Sequence, residues 1–165
     1  MAVLFARALG ARKIVGLSRK SDKREDALRL GCDEYVATAE EPGWTHKHAR
    51  SLDLIISTVS SARGLNIADY LALLKRDGTF VQLGNPDDGP LTVPQHLLIM
   101  QRLRIAGSVI GSPKEIRDML QLVVDKNVRP WIEQRPMSEA NQTIVDLQDG
   151  KPRYRYVLVN DWSEK

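Results

Sequence analysis

Residues 52–59 read Leu-Asp-Leu-Ile-Ile-Ser-Thr-Val, a short and mostly apolar run with a polar stretch before it. Strands covered by helices on both faces are hydrophobic along most of their length, whereas strands with one face in water alternate between apolar and polar residues. This run is mostly apolar and does not alternate strictly. It therefore predicts a buried strand of a parallel sheet.

Strand-like and helix-like segments alternate on both sides of this run. From Pro113 onward a longer helix and two further extended segments change the pattern, and we predict a domain boundary at Arg129-Pro130, between residues 1–128 and residues 129–165. The alternation before that point predicts βαβ units, and hence an α/β fold with a doubly wound parallel sheet. Helix-like segments cover residues 1–9, 22–30, 66–74 and 94–101, and strand-like segments cover residues 13–18, 35–38, 79–83 and 104–110.

Composition narrows the classes of function. The net charge is only +3 and no run of lysine and arginine exceeds two residues, so we expect no nucleic-acid partner. No apolar stretch approaches the ~18 residues that a membrane-spanning helix needs, so we expect no membrane association. Cys32 is the single cysteine, which excludes an internal disulfide and a Cys-x-x-Cys metal site. A reducing, cytoplasmic location is the expectation that follows.

In an open α/β sheet, ligands bind at the carboxyl ends of the strands, so the residues after each strand form the candidate site. The first strand ends in Ser18-Arg19, and Lys23 follows in a basic turn, where NAD-binding folds usually carry an acidic residue. Hydroxyl and cationic donors favour a 2′-phosphate, whereas a carboxylate repels it. The same residues also fit a solvated basic turn, and the pattern leaves both interpretations open.

Small and hydroxyl-bearing residues follow the later strands as well. Each such segment is also ordinary at a transition from strand to loop, although Gly84 and Gly111 would let a ligand approach the backbone closely. The chain contains neither a G-x-G-x-x-G sequence nor a P-loop, and no pattern for a nucleophile or a metal cage. We therefore predict no catalytic and no metal-binding residue. The segments are Thr58–Ser61, Leu83–Pro86 and Ser108–Ser112.

Taken in order, these segments resemble the zinc-type medium-chain alcohol dehydrogenases, and more narrowly the NADP-dependent type related to cinnamyl alcohol dehydrogenase. The resemblance begins at Ser18-Arg19 with residues 23–27, and it closes at Arg153-Tyr154-Arg155-Tyr156-Val157, so it covers essentially the whole chain. The motifs between these ends are Leu30-Gly31, Asp33-Glu34, residues 51–56, Gly78-Thr79, residues 105–108, residues 110–112 and Trp131-Ile132-Glu133.

The resemblance implies a Rossmann-type NADP-binding domain at residues 1–128, with NADP(H) as the cofactor. It implies that Ser18, Arg19 and Lys23 hold the 2′-phosphate. It also implies a homodimer in which the strand at Arg104–Ile110 pairs across two subunits. The residues expected along the adenosine and nicotinamide path are Thr58, Leu83, Gly84, Ser108 and Ile110.

In that family a preceding domain holds a catalytic and a structural zinc ion. The resemblance therefore implies that this chain begins inside the helix after the glycine-rich turn, and that residues 129–165 fold back on the other domain. The first strand of such a sheet lies in its middle, in the order 3-2-1-4-5-6. Without it, the strands at residues 13–18 and 52–59 are expected to face each other across a gap. Zinc ligands are expected only in the longer protein.

Two functional hypotheses follow. The first is that the chain is the cofactor-binding part of an enzyme that transfers a hydride between NADPH and an aldehyde or primary alcohol, with zinc as Lewis acid. The alternative is a non-catalytic NADP-binding or dimerisation module from a truncated gene product. We favour the first, and we expect the chain by itself to have no dehydrogenase activity.

Overall fold

The computed structural model describes residues 1–61, 65–86 and 88–160, and helices and strands alternate through them as predicted. Short 3-10 turns at Ser21–Lys23 and Met137–Glu139 precede two of the helices. The helices are α1 (Ala2–Ala8), α2 (Arg24–Arg29), α3 (Trp44–Lys47), α4 (Ile67–Leu71), α5 (Gln95–Gln101), α6 (Pro113–Asp125) and α7 (Ala140–Gln148). The strands are β1 (Val15–Ser18), β2 (Glu34–Ala37), β3 (Leu52–Ser57), β4 (Leu74–Gln82), β5 (Arg104–Gly107), β6 (Glu133–Pro136) and β7 (Tyr156–Val159).

All strand pairs in the described residues are parallel, which confirms the predicted α/β class. The strands form three groups: β1 with β2, then β3, β4 and β5 in that order, and finally β6 with β7. Ser18 lies opposite Ala37 at the end of the first pair, and Ser57 lies opposite Gln82 in the second group. No described pairing joins β1 to β3, as the predicted gap between these strands requires. The carboxyl ends of the strands in each group therefore point the same way.

The core lies around β3 and β4. Phe80, Leu71, Leu73 and Leu74 are fully buried, and they cluster with Ile55, Ile67 and Leu103. These residues come from β3, α4, the turn between α4 and β4, β4 itself and the turn after α5. Burial of their apolar area therefore fixes the helices against the sheet. The prediction that residues 52–59 form a buried strand is met on one face only: Ile55 lies in the core, whereas Leu54, Ile56 and Val59 are 52 %, 43 % and 41 % exposed.

Two element boundaries differ from the sequence prediction. The helix predicted over residues 66–74 ends at Leu71, and β4 begins at Leu74, five positions before the predicted Thr79. The strand includes an irregularity in which the partner of Leu52 is Leu74 but the partner of Leu54 is Thr79. Such a bulge places extra residues in one strand, and Asp77 within it has a positive φ of 65°. The turn predicted at Asp77-Gly78 is therefore built into the strand.

The strand predicted at Arg104–Ile110 is also shorter, because β5 ends at Gly107. Its last pair joins Gln82 to Gly107, and Gln82 is the last residue of β4. The ladder stops there because β4 offers no further partner. Helix α6 then begins at Pro113, and Ser112 caps it: the Ser112 hydroxyl accepts a hydrogen bond from the Glu115 amide, while the Glu115 carboxylate accepts one from the Ser112 amide.

Candidate functional site

A cavity of about 400 Å³ opens between the carboxyl ends of β1 and β3. Leu17, Ser18 and Arg19 form one wall, and residues 55–61 form the other. Leu65, Tyr70 and Phe80 complete the lining. This space is the gap between β1 and β3 that the sequence analysis predicts. The cavity therefore lies at the sheet edge where the sequence placed the candidate site.

A second cavity of about 510 Å³ lies beside the first and shares Leu17, Ser18 and Thr58 with it. The C-terminal segment forms part of its lining through Pro130, Trp131, Tyr154 and Arg155, which nothing in the sequence analysis predicted. The remaining lining residues come from α1, β2 and the region of α2: Met1, Val3, Leu4, Lys23, Ala27, Leu30 and Tyr35.

The structure brings four of the eight predicted cofactor residues together. Ser18 and Thr58 line both cavities, Arg19 lines the first and Lys23 lines the second. Neither lining contains an aspartate or a glutamate, whereas Arg155 adds a third cation to Arg19 and Lys23. A phosphorylated ligand requires charge-assisted donors and no opposing carboxylate. The residues present therefore fit the phosphate groups of NADP(H).

A buried hydroxyl adds to this fit. Ser57 lines the first cavity and is 8 % exposed, and its Oγ has no hydrogen-bond partner among the described residues. A buried polar atom without a partner is costly, and a ligand that bonds to it relieves that cost. Tyr70 on the same lining packs against Trp44 with 5.4 Å between ring centroids, and burial raises the pKa of its hydroxyl. Neither Ser57 nor Tyr70 was a predicted site residue.

The other four predicted residues lie outside the lining of these two cavities. They are Leu83, Gly84, Ser108 and Ile110. A side chain at Gly84 would overlap the carbonyl group of Val59, so the glycine is required by contact between two loops of the protein. The side-chain amide (Nε2) of Gln82 donates hydrogen bonds to the Val59 carbonyl at 3.0 Å and to the Gly84 carbonyl at 2.9 Å, which ties the loops after β3 and β4 together.

Ser108 and Ile110 follow β5. The Ser108 amide donates to the Gln82 carbonyl at 3.3 Å, which places this residue beside the same pair of loops. The Ile110 side chain is 85 % exposed. Their predicted role in cofactor binding remains a prediction.

Aromatic and ionic contacts attach the C-terminal segment to α2. The Tyr154 hydroxyl donates to the Asp26 carboxylate at 2.6 Å, and the Tyr154 and Trp131 rings stack with 6.3 Å between centroids. The Arg29 guanidinium lies 5.1 Å from the Trp131 ring. Burial, and then the hydrogen bond to Asp26, raise the pKa of Tyr154 to about 12, so its hydroxyl is a hydrogen-bond donor at neutral pH. These contacts hold the segment at the wall of the second cavity.

The described residues do not fit a zinc ion. Within residues 1–61, 65–86 and 88–160, no three histidine, cysteine, aspartate or glutamate side chains are grouped so that they could hold a metal. A protein zinc site requires three or four such ligands. In the same part of the chain, no helix is long and apolar enough to cross a membrane.

A family model described as zinc-binding dehydrogenase matches residues 1–125. The chain is 40% identical over 158 residues to NADP-dependent alcohol dehydrogenase C 1 of Mycolicibacterium smegmatis, covering 96% of this chain and 44% of that protein. It is 33% identical to NADP-dependent alcohol dehydrogenase 6 of Saccharomyces cerevisiae, again over 96% of this chain and 44% of that protein. The chain thus spans less than half the length of these relatives.

Solved structures give the same result. A cinnamyl alcohol dehydrogenase from Sorghum bicolor matches with a TM-score of 0.86 and 36% identity, over 96% of this chain and 44% of that one. The corresponding enzyme from Helicobacter pylori, solved in complex with NADP(H), matches with a TM-score of 0.77 and 26% identity, over 100% of this chain and 45% of that one. The resemblance stated from the sequence motifs is confirmed.

Proposed function

Because the chain belongs to the zinc-binding dehydrogenase family, we propose that it is the cofactor-binding part of an NADP-dependent alcohol dehydrogenase. The substrates of the longer protein are an aldehyde or a primary alcohol. The nicotinamide of NADP(H) supplies the hydride carrier, and the protein supplies binding and orientation. The observation that carries this proposal is the acid-free lining of the two adjoining cavities, with Arg19, Lys23 and Arg155 around the shared Ser18 and Thr58.

The selectivity for NADP over NAD rests on Ser18, Arg19 and Lys23. Ser18 ends β1, Arg19 follows it directly, and Lys23 lies at the end of the 3-10 turn before α2. In this role the hydroxyl and the two cations donate hydrogen bonds to the 2′-phosphate, whose charge and acceptor oxygens favour such donors. An NAD ribose lacks that phosphate and gains nothing from the cations. Thr58, Leu83, Gly84, Ser108 and Ile110 complete the proposed cofactor path.

Catalysis is a property of the longer protein in this proposal. We propose that the zinc ligands belong to the longer protein, as in the family that the chain resembles. We expect the 165-residue chain to bind the cofactor weakly and to show no alcohol oxidation or aldehyde reduction by itself. We place the protein in the cytoplasm.

We also propose a homodimer that forms through the outer edge of β5. Among the described strands, β5 pairs only with β4, so the backbone groups of its other edge are available. Val109 and Ile110, just beyond the strand, are 89 % and 85 % exposed. An unpaired strand edge with apolar residues beside it is a template for pairing with a second chain.

Binding of 2′,5′-ADP and 5′-AMP to the 165-residue chain, measured by isothermal titration calorimetry, tests the cofactor assignment. We expect 2′,5′-ADP to bind more tightly, and Arg19→Ala to weaken it about tenfold, or ~1.4 kcal/mol, by removing a charge-assisted donor. Arg12→Ala is the matched control, because Arg12 precedes β1 at the opposite end of that strand. Equal affinity for the two nucleotides, or no binding at millimolar concentration, would reject the proposal.

A further inference from the structure

Tyr154 contacts the region of α2 through two different parts of its side chain. Its hydroxyl donates a hydrogen bond of 2.6 Å to the carboxylate of Asp26, which lies 128 positions earlier in the sequence. Its ring lies 6.0 Å from the ammonium group of Lys23, at the outer limit of a cation–π contact. One side chain of the C-terminal segment thus contacts both a proposed phosphate-binding cation and a nearby carboxylate.

Neighbouring rings and cations hold Tyr154 in this position. Trp131 stacks on it, the Arg153 guanidinium lies 5.9 Å from its ring centroid, and Arg29 from α2 lies over Trp131. Tyr154 and Lys23 both line the second cavity, together with Ser18. The contact is therefore part of the cavity wall.

Asp26 would otherwise compete for Lys23. Lys23 is the N-cap of α2 and Asp26 lies in its first turn, three positions later. Oppositely charged side chains at this spacing on a helix form ion pairs. Among the ion pairs of the described residues, none joins Lys23 to Asp26. The Asp26 carboxylate is bonded to the Tyr154 hydroxyl instead, and the Lys23 ammonium lies over the ring. A 2′-phosphate would therefore find this cation without a carboxylate paired to it.

We propose that Tyr154 is a positioning residue for the 2′-phosphate: its hydroxyl retains the Asp26 carboxylate, its ring supports Lys23, and Lys23 stays available to the ligand. This inference rests on the proposed cofactor function and extends it, because it assigns part of the selectivity for NADP to residues 129–160. Cofactor selection then depends on a contact between the first and the last parts of the chain.

The test is a double-mutant cycle on the 165-residue chain, with 2′,5′-ADP and 5′-AMP as probes and calorimetry as the measurement. Y154F keeps the ring and removes only the hydroxyl. We expect it to weaken 2′,5′-ADP binding about two- to fivefold, the range that a competing surface ion pair supports, and to leave 5′-AMP binding unchanged. Adding Asp26→Asn to Y154F should restore the affinity. Asp26→Asn in the otherwise unaltered chain should change the affinity for 2′,5′-ADP less than it does in Y154F.

Y156F is the matched control, because the Tyr156 ring packs under Arg135 and lines neither cavity. Thermal unfolding of each variant establishes that it is folded. A Y154F variant that binds 2′,5′-ADP as tightly as the unaltered chain overturns this inference and leaves the proposed function standing. A loss of 2′,5′-ADP affinity in Y154F that Asp26→Asn does not reverse also overturns this inference and leaves the proposed function standing. An unaltered chain that does not prefer 2′,5′-ADP overturns the proposed function, and with it this role of Tyr154.

Discussion

The two sides of β4 differ sharply in how their apolar residues are covered. Towards β3 and α4, the chain buries Leu71, Leu73, Leu74 and Phe80 completely, although Leu54 and Ile56 on the other face of β3 are 52 % and 43 % exposed. Towards β5 and α6, every residue from 104 to 121 is exposed. This second stretch, the β5–α6 segment (residues 104–125), is nonetheless rich in apolar residues.

The comparison separates apolar residues that fold the chain from apolar residues available to a partner. Burial of a leucine or phenylalanine side chain contributes roughly 1.5–3 kcal/mol to folding, and the core on the β3 side receives that contribution within one chain. The exposed apolar side chains of the β5–α6 segment contribute little until another surface covers them. A run of such residues next to an unpaired strand edge supports the proposed dimer.

Leucine-to-alanine substitutions on the two sides should have very different effects on stability. Leu71→Ala removes a fully buried side chain and should lower the free energy of unfolding by about 2–5 kcal/mol, because a cavity remains in the core. Leu120→Ala, at a position 53 % exposed, should change it by less than about 0.5 kcal/mol. Urea denaturation followed by circular dichroism, at a concentration where the chain is monomeric, gives both values. Similar losses for the two variants would refute the distinction.

A charge in the β5–α6 segment should affect association and leave folding intact. Val109 is 89 % exposed, so Val109→Asp costs the isolated chain little, but a proposed dimer would bury that carboxylate without a partner. We expect the dimer dissociation constant to rise at least about tenfold, with the free energy of unfolding changed by less than about 0.5 kcal/mol. Size-exclusion chromatography with light scattering measures the first quantity.

Leu9→Asp is the control for this variant. Leu9 is 71 % exposed and follows α1, outside the β5–α6 segment. The substitution should therefore leave association unchanged. If Val109→Asp has no effect on the molecular mass in solution, or if the unaltered chain is monomeric at all concentrations, the proposed dimer interface is wrong.

The sequence predicts the helices and strands on both sides of β4. It does not predict that the apolar residues on the β5 side stay exposed. The alternation of segments and the apolar run at residues 52–59 are local patterns, and they were sufficient for the fold class. Residues 104–110 are also apolar and hydroxyl-bearing, and nothing in their own pattern says whether the chain covers them. Whether a strand is buried depends on its neighbours in space, which a local pattern does not contain.

The candidate site shows the same limit of local sequence patterns, which do not contain contacts between distant parts of the chain. Ser18, Arg19 and Lys23 could be predicted as candidates because Ser18 ends the first strand and the other two follow it within a few residues. Arg155 and Tyr154 were missed because they reach the cavity from the other end of the chain, and a contact across 128 positions has no local pattern. Gly84 was predicted as a point of close approach to a ligand, whereas the structure shows a close approach to the Val59 backbone.

Acid should weaken the junction between the two sides of β4 through Asp77. This carboxylate accepts hydrogen bonds of 2.8 and 2.6 Å from Arg102, and its backbone carbonyl accepts one from Arg104 at 2.9 Å, so it joins the bulge in β4 to the start of β5. The hydrogen bonds from Arg102 lower the pKa of Asp77. A carboxylate with a lowered folded-state pKa stabilises the fold above its unfolded pKa of about 3.9, and this stabilisation is lost as the pH falls through the folded value.

Asp77→Asn removes the charge and tolerates the positive φ. The difference in unfolding temperature between the two proteins should therefore be constant from about pH 5 to 8 and shrink below about pH 4. A difference that stays constant down to pH 2 would show that the ion pair does not stabilise this junction.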